Sequence, residues 1–391
     1  MAQMGSVSVS YDTDLNMQNK RAPRVAVQRR STGRWMAILC LMASVLFIGA
    51  LLLAPTMSHA QRAESPVAGN VPGGSSGATS DSELWRALKG GEKLTTQNKD
   101  PNAGVAIQTN GQEWRVIKNG TYPTYSAWGI LGTIGILCLF FAIRGRIRIG
   151  HGGPSGETIT RFKLIERLGH WLLASSFIIL ALTGLNLVYG KDLLLPLIGK
   201  EAFASITIFG KWIHNYVAFS FMLALVWVAI TWIAYNIPHP RDLMWFLRGG
   251  GILGGAHPPA RKFNAGQKVI FWVVILGGVS LSLSGCTLLF PFSTEHFAST
   301  FGVINSIFGS ELPTALSPLQ EQQLAQLWHG IMSVIMTCII IAHIYIGSIG
   351  MEGAAAAMTT GDVDRTWASE HHSLWVEEED AKSDRAVQAA E

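Results

Sequence analysis

Five long runs of apolar residues divide the chain, and none of them alternates with polar residues in the manner of a strand. Each run is about 20 residues long, which is enough for a helix to cross a bilayer. Backbone N–H and C=O groups must pair internally in lipid, so a helix is the predicted structure of every run. The predicted spans are residues 127–143, 168–189, 212–235, 269–290 and 327–350. The pattern therefore predicts an all-α integral membrane protein.

Two segments precede these spans. Residues 1–60 combine a basic lead with the apolar run 35–54, and the small residues Ser58 and Ala60 suit cleavage after Ala60. We interpret residues 1–60 as a signal peptide, with an uncleaved N-terminal anchor as the alternative. Residues 61–122 are polar and rich in Gly, Ser, Thr and Asn, without a sustained period, which predicts an extramembrane arm.

Basic residues set the predicted orientation. The loops 144–166 and 236–268 are rich in Lys and Arg, whereas residues 291–326 contain three Glu and no Lys or Arg. Since basic loops remain in the cytoplasm, these two loops and the tail 351–391 are predicted to be cytoplasmic. The arm 61–122 would then lie outside, and the chain would be a multi-pass membrane protein.

The composition narrows the class of protein further. Of 391 residues, 49% are hydrophobic and 14% are charged, which is typical of a membrane protein. The net charge of +4 is too small to indicate nucleic-acid binding. The four cysteines stand singly, with no C-x-x-C pair and no C-x-x-C-H motif. This argues against a structural zinc, an iron–sulfur cluster and a covalently attached haem.

Four histidines lie in or at the edges of the spans. His329 and His343 are 14 positions apart on the last span. On a helix this separation is about 21 Å along the axis, and both side chains lie within about 40° of one face. An ionisable side chain inside a span is costly, so it is a functional-site hypothesis by default. Matching depths pairs His214 with His329 on the outer side and His170 with His343 on the inner side.

The chemistry of such pairs favours haem. Two facing neutral imidazoles suit six-coordinate haem iron, with the porphyrin buried in a helix bundle. Zinc or copper would need a third or fourth ligand at the same depth, and a proton relay would be expected to use Asp or Glu within a span. We expect no Cys, Asp or Glu at the depth of either pair, and the predicted spans contain no Asp or Glu. A transporter or receptor whose histidines bind substrate or sense pH is the alternative from another class.

Several motifs appear together in this order along the chain. They are HW at 170–171, IHNY at 213–216, KFNAGQK at 262–268, H-x13-H on the last span, and DRTWASEHHSLW at 364–375. Over about residues 110–376, the chain resembles the gamma-subunit family of membrane-bound formate dehydrogenases, which are dihaem cytochromes b. The resemblance implies a four-helix haem-binding bundle at 167–350, with two non-covalent b haems. The signal, the arm and the additional span at 123–143 depart from the compact members of that family.

The resemblance also implies site residues. His214 and His329 would ligate the haem nearer the periplasm, and His170 and His343 would ligate the cytoplasmic haem.

Quinone would be reduced close to this inner haem, with Asn264 and Gln267 of the NAGQK loop as candidate contacts. The alternative for this loop is a cap on the fourth span, because Asn is favoured at the N-cap position.

The same resemblance implies a location in the bacterial inner membrane, with the arm 61–122 in the periplasm. It also implies partners. A catalytic alpha subunit would oxidise formate, an iron–sulfur beta subunit would deliver the electrons, and this chain would carry them through two b haems to quinone. The chain would then be an electron-transfer subunit in formate respiration that does not itself oxidise formate. A cytochrome b subunit of another periplasmic dehydrogenase, such as a hydrogenase or thiosulfate reductase, is the alternative.

The paired histidines predict a cofactor that can be measured directly. We expect a reduced-minus-oxidised spectrum of type b, and solvent extraction should release two haems per chain because no cysteine motif can attach them covalently. A folded chain without haem would contradict this interpretation and favour the transporter or receptor hypothesis.

Overall fold

Five helices of the computed structural model are long and apolar enough to cross a membrane, among the residues it describes. Those residues are 111–150, 152–251, 257–291 and 293–389. The five helices are α1 (Gly111–Arg144), α2 (Leu164–Leu193), α3 (Leu195–Trp232), α5 (Ala265–Leu289) and α7 (Pro318–Tyr345). The predicted all-α membrane class is confirmed. The predicted signal or anchor at 1–60, and residues 61–110 of the predicted arm, lie outside the described residues.

Shorter elements join and follow these helices. Between them lie α4 (Pro240–Leu247) and α6 (His296–Phe308), and after α7 come α8 (Ala356–Thr359), α9 (Arg365–His371) and α10 (Ser373–Gln388). Two short strands, β1 (Thr158–Thr160) and β2 (Asp362–Asp364), pair antiparallel. Single turns of π-helix occur within α1 at Ile117–Thr121 and after α7 at Ile346–Gly350, and 3-10 turns at Ile233–Tyr235 and Gly249–Gly251.

The helices extend beyond the apolar runs from which they were predicted. The first begins at Gly111, so the last residues of the predicted arm are helical. The third begins at Leu195 and kinks at Gly199, where φ is 79°. For α5 and α7 the early start has a polar cause: reciprocal capping boxes at Asn264 and at Ser317 start these two helices several residues before the apolar runs begin.

The helices pack in a defined order. Helix α2 runs along α3, α5 runs along α7, α3 contacts α5, and α1 packs on α7. Close approach of α3 and α5 depends on Gly278, where an added Cβ would lie 2.9 Å from Leu225 Cδ1 and 3.3 Å from Phe221 Cζ. Leu225 and Phe221 are both buried. Small residues therefore set the helix separation here, as is common in membrane bundles.

Helix α1 is attached at both ends. Near its start, the Tyr122 hydroxyl donates to the Gly330 carbonyl of α7 at 3.3 Å, and Ser126 and Tyr189 of α2 share a hydrogen bond of 2.6 Å. Near its end, Phe140 packs edge-on against Tyr345 of α7, with ring centroids 6.3 Å apart. Most of its other side chains are exposed, as expected for a helix that faces lipid.

The end of the bundle that carries the basic loops is closed by a cap, which we define as residues 145–163, 257–264 and 351–376. Ile159 of β1 lies opposite Val363 of β2, and Ile147 forms a bridge with Met351. Val363 and Trp367 are almost fully buried. The basic loop and the tail therefore fold together, which the sequence did not indicate.

The opposite end, which carries residues 290–317, contains α6. Its first turn is held by Glu321 of α7, whose carboxylate accepts hydrogen bonds from the backbone N–H groups of Phe297 at 2.9 Å and Ala298 at 2.7 Å. Glu321 is 1% exposed. A buried carboxylate at a helix N-terminus is stabilised by the helix dipole and by these donors.

The Gly278 contact predicts a stability effect. Gly278→Ala should lower the free energy of unfolding by about 1–3 kcal/mol, because the new methyl group overpacks the α3–α5 contact. Gly135→Ala is the matched control, since an added Cβ on this exposed position of α1 meets no atom within 4 Å. Thermal unfolding of the purified variants in detergent measures the difference, and equal unfolding temperatures would contradict the assigned packing role.

Candidate functional site

The four histidines of the spans lie in two pairs. His170 of α2 faces His343 of α7 with ring centroids 6.3 Å apart, and His214 of α3 faces His329 of α7 at the same separation. All four side chains are partly buried. Because α7 is continuous between its two histidines, the pairs lie at two levels separated by about 21 Å. The structure thus brings together the residues that depth alone had paired.

Hydroxyl groups hold the imidazoles of the second pair. His214 Nδ1 lies 2.8 Å from Thr183 Oγ1, and His329 Nδ1 lies 3.0 Å from Ser284 Oγ. Each hydroxyl is also placed to donate its own proton to a backbone carbonyl one turn earlier, at 2.7 Å for Thr183 and 2.9 Å for Ser284. The hydroxyls therefore accept from Nδ1–H, which leaves Nε2 unprotonated and able to ligate a metal.

Two glycines make room for these rings. An added Cβ at Gly184 would lie 3.6 Å from Cε1 of His214, and one at Gly285 would lie 3.3 Å from Cε1 of His329. Two other glycines in the spans serve helix packing instead, since Gly277 faces Met336 and Gly278 faces Leu225.

The first pair has a different surrounding. His170 lies 6.3 Å from the Trp232 ring, and its Nδ1 is buried without a hydrogen-bond partner. The Trp232 indole donates to Glu166 Oε1 at 3.0 Å, and Lys262 Nζ donates to the same oxygen at 2.7 Å. The Glu166–Lys262 ion pair therefore lies one helical turn from His170. It could not be recognised from the sequence, because charged residues in loops and at helix ends are usually solvated.

Asn264 and Gln267 form the capping box of α5. Asn264 Oδ1 accepts from the backbone N–H of Gln267 at 2.9 Å, and Gln267 Oε1 accepts from the backbone N–H of Asn264 at 3.1 Å. No hydrogen bond or ring contact within the described ranges joins either side chain to His170 or His343. Their amide NH2 groups are not used by the cap, so the capping role leaves both side chains able to donate hydrogen bonds.

The tail contains two buried histidines, His371 and His372. His372 is fully buried, and its Nδ1 lies 2.7 Å from the Arg261 carbonyl. His371 contacts His257, with ring centroids 4.2 Å apart. Burial, then the nearby His257 and Arg161, lowers the pKa of His371 to about 3, so its ring is neutral at physiological pH. Both histidines belong to the cap rather than to solvent.

The chain was compared with known proteins. The sequence profile of the prokaryotic cytochrome b561 family matches residues 161–361, just over half of the chain. The chain belongs to this family. The matched segment contains all four paired histidines.

Curated relatives of this cytochrome are subunits of formate dehydrogenases. The nitrate-inducible formate dehydrogenase cytochrome b556(Fdn) subunit of Escherichia coli K12 is 26% identical over 225 residues, covering 57% of this chain and 92% of the relative. The cytochrome b556(fdo) subunit of the same strain is 25% identical and covers 57% and 93%. The formate dehydrogenase cytochrome b556 subunit of Haemophilus influenzae is 24% identical and covers 56% and 83%. These comparisons confirm the resemblance predicted from the motifs.

Membership of a cytochrome b family implies haem b, and the residues present fit this cofactor. Two metal–nitrogen bonds of about 2 Å, together with the half-widths of two imidazole rings, account for a ring separation of about 6 Å. Within the ranges that the structure describes, no cluster of three or more His, Cys, Asp or Glu could hold a metal ion on its own. A pair of imidazoles suits a metal whose remaining ligands come from a porphyrin.

The hydroxyl contacts predict a measurable effect on this cofactor. Ser284→Ala should weaken haem binding at the His214–His329 level by about 10–100-fold, because His329 loses the acceptor that orients its ring. Haem titration of the purified apoprotein, followed by absorbance, measures the affinity of each level. Ser282→Ala is the control, since its hydroxyl donates only to the Gly278 carbonyl. Unchanged affinity in Ser284→Ala would remove the orienting role.

Proposed function

We propose that this chain is the membrane cytochrome b subunit of a formate dehydrogenase and carries electrons through two b haems to quinone. The observation that carries the proposal is the presence of two imidazole pairs, each with ring centroids 6.3 Å apart, at two levels of one bundle. The printed names of the curated relatives supply the link to formate dehydrogenase.

In this proposal, each pair of histidines binds one haem b, which supplies one-electron redox chemistry at its level. His214 and His329 ligate the outer haem, and His170 and His343 ligate the inner haem. Thr183 and Ser284 keep Nε2 of the outer pair free for the metal. The apolar helices exclude water from the space between the levels, which favours neutral imidazoles as ligands.

The proposed direction of electron transport rests on the predicted orientation of the chain. Basic residues dominate the capped end, which is the pattern of a cytoplasmic surface. The arm 61–122 and α6 would then lie on the periplasmic side, where an iron–sulfur beta subunit would deliver electrons. Formate itself would be oxidised by a separate catalytic alpha subunit. The domain boundaries predicted from the sequence are part of this proposal, with the bundle at 167–350 and the cytoplasmic tail at 351–391.

Quinone reduction is assigned to the cytoplasmic end, beside the inner haem. Asn264 and Gln267 begin α5 at this end, and both keep their amide NH2 groups available while their oxygens serve the capping box. A quinone carbonyl oxygen is a hydrogen-bond acceptor, so donor groups are what such a site requires. Reduction of one quinone to one quinol would take two electrons, which arrive one at a time, and two protons from water.

Selective loss of one haem tests this order. His170→Ala should remove the inner centre and abolish quinone reduction, while formate still reduces the outer haem in membranes that contain the whole complex. His214→Ala should have the opposite effect: quinol still reduces the remaining haem, but formate no longer does. Absorbance changes of haem b after each donor is added measure both outcomes.

The wild-type membranes provide the deciding comparison. Haem reduction by hydrogen or reduction of thiosulfate, without any response to formate, would assign the chain to another dehydrogenase. Retention of two haems in His170→Ala would refute the ligand assignment.

A further inference from the structure

Arg161 is a buried cation in the cap without a carboxylate partner. It precedes α2, is 4% exposed, and takes part in none of the ion pairs within the described part of the chain. The neighbouring Glu166 is already paired with Lys262 at 2.7 Å. The burial of Arg161 is therefore not explained by an ion pair. Because burial of an unpaired charge is costly, other contacts must stabilise it.

Aromatic rings and carbonyl groups hold the guanidinium in place. Arg161 Cζ lies 5.1 Å from the centre of the Phe162 ring and 5.2 Å from that of Trp367, at distances typical of cation–π contacts. Its Nη2 donates to the Lys262 carbonyl at 2.6 Å, whereas its Nε is buried without a partner. The three chain segments that form the cap therefore meet around this one side chain.

Arg161 is charged, whereas the imidazole of the nearby His372 is neutral. Burial lowers the pKa of Arg161 to about 9, so the guanidinium remains protonated at neutral pH. Burial and the proximity of Arg161 hold the pKa of His372 well below its usual value, so that imidazole is neutral. The Arg161 guanidinium thus keeps its positive charge.

Arg161 also fixes the orientation of Gln267. Its Nη2 donates to Gln267 Oε1 at 3.2 Å, and the backbone N–H of Asn264 donates to the same oxygen at 3.1 Å. A guanidinium has no acceptor atom, so the reversed amide would place donors against donors. The Gln267 oxygen is therefore held toward Arg161, and its NH2 group is directed away from it.

We propose that Arg161 is a positioning residue for quinone reduction: it holds Gln267 as a hydrogen-bond donor and places a positive charge behind that donor. This inference rests on the quinone site proposed above and adds the residue that sets its polarity. The carbonyl oxygen of a quinone gains negative charge as electrons arrive, and a fixed cation behind an oriented donor stabilises that change. Arg161 keeps its own protons, and the two protons of the quinol come from water.

Four variants of the whole complex in membranes separate this role from a structural one. Arg161→Met should lower kcat/KM for ubiquinone-1, with formate as donor, by about tenfold or more. Arg161→Lys should recover part of this loss, because it restores the charge but not the planar fork. Arg148→Met is the control, since it removes the same charge from an exposed position in the same basic loop.

Gln267→Glu gives the sharpest comparison. Its carboxylate would pair with Arg161 and retain an acceptor for the capping box, so the fold and the haem content should be preserved or strengthened. The variant has no amide donor, so it should lose quinone reduction and equilibrium binding of radiolabelled ubiquinone-1 to the purified complex. If the contact between Arg161 and Gln267 served only the capping box and the fold, this variant would be stable and its quinone reactions would be normal.

Each outcome has a defined meaning. Wild-type haem that is reduced by formate but not reoxidised by ubiquinone-1 or menadione would contradict the proposed quinone site itself. Normal kcat/KM and binding in Arg161→Met, or in Gln267→Glu, would overturn the positioning role alone. Should Arg161→Met fail to accumulate with haem, Arg161→Lys and Gln267→Glu decide, since both preserve a charged contact at this position.

Discussion

The geometry of both histidine pairs depends on one continuous helix, because α7 contributes a ligand candidate to each level. In hydrocarbon, a helix cannot give up its internal hydrogen bonds, so the rise between His329 and His343 cannot change without a large energetic cost. The partner histidines come from two different helices, α2 and α3, which pack closely along each other. The distance between the levels is consequently a property of one backbone, and the other helices adapt to it.

The membrane architecture and the histidine pairing could be predicted from the sequence because both follow from simple periodic rules. The length of the apolar runs predicted the five spans, and the spacing of His329 and His343 along one helix predicted the two depths. The helix ends were predicted less well, since α1 and α3 begin well before their apolar runs. Helix α3 continues through a kink at Gly199, which hydropathy does not indicate, and the capping boxes that start α5 and α7 use polar residues that hydropathy counts as loop.

The fold of the cap could not be predicted from the sequence, for a different reason. Its contacts join residues about 200 positions apart, such as Ile159 with Val363, through short strands without a distinctive pattern. The burial of Arg161 and His372 could not be inferred from residues that are normally solvated. The TWASEHHSLW motif was recognised as a family feature, yet only the fold shows that its Trp367 lies against the guanidinium of Arg161.

The pairing of β1 with β2 has a consequence for how the protein is made. A ribosome releases Thr158–Thr160 long before Asp362–Asp364, so the first cytoplasmic loop of the proposed topology must wait for almost the whole chain before its strand can pair. During that interval, Arg161 would remain hydrated and the capped end would be open. Biogenesis therefore has a natural order, in which membrane insertion of the helices comes first and closure of this end is the last folding event.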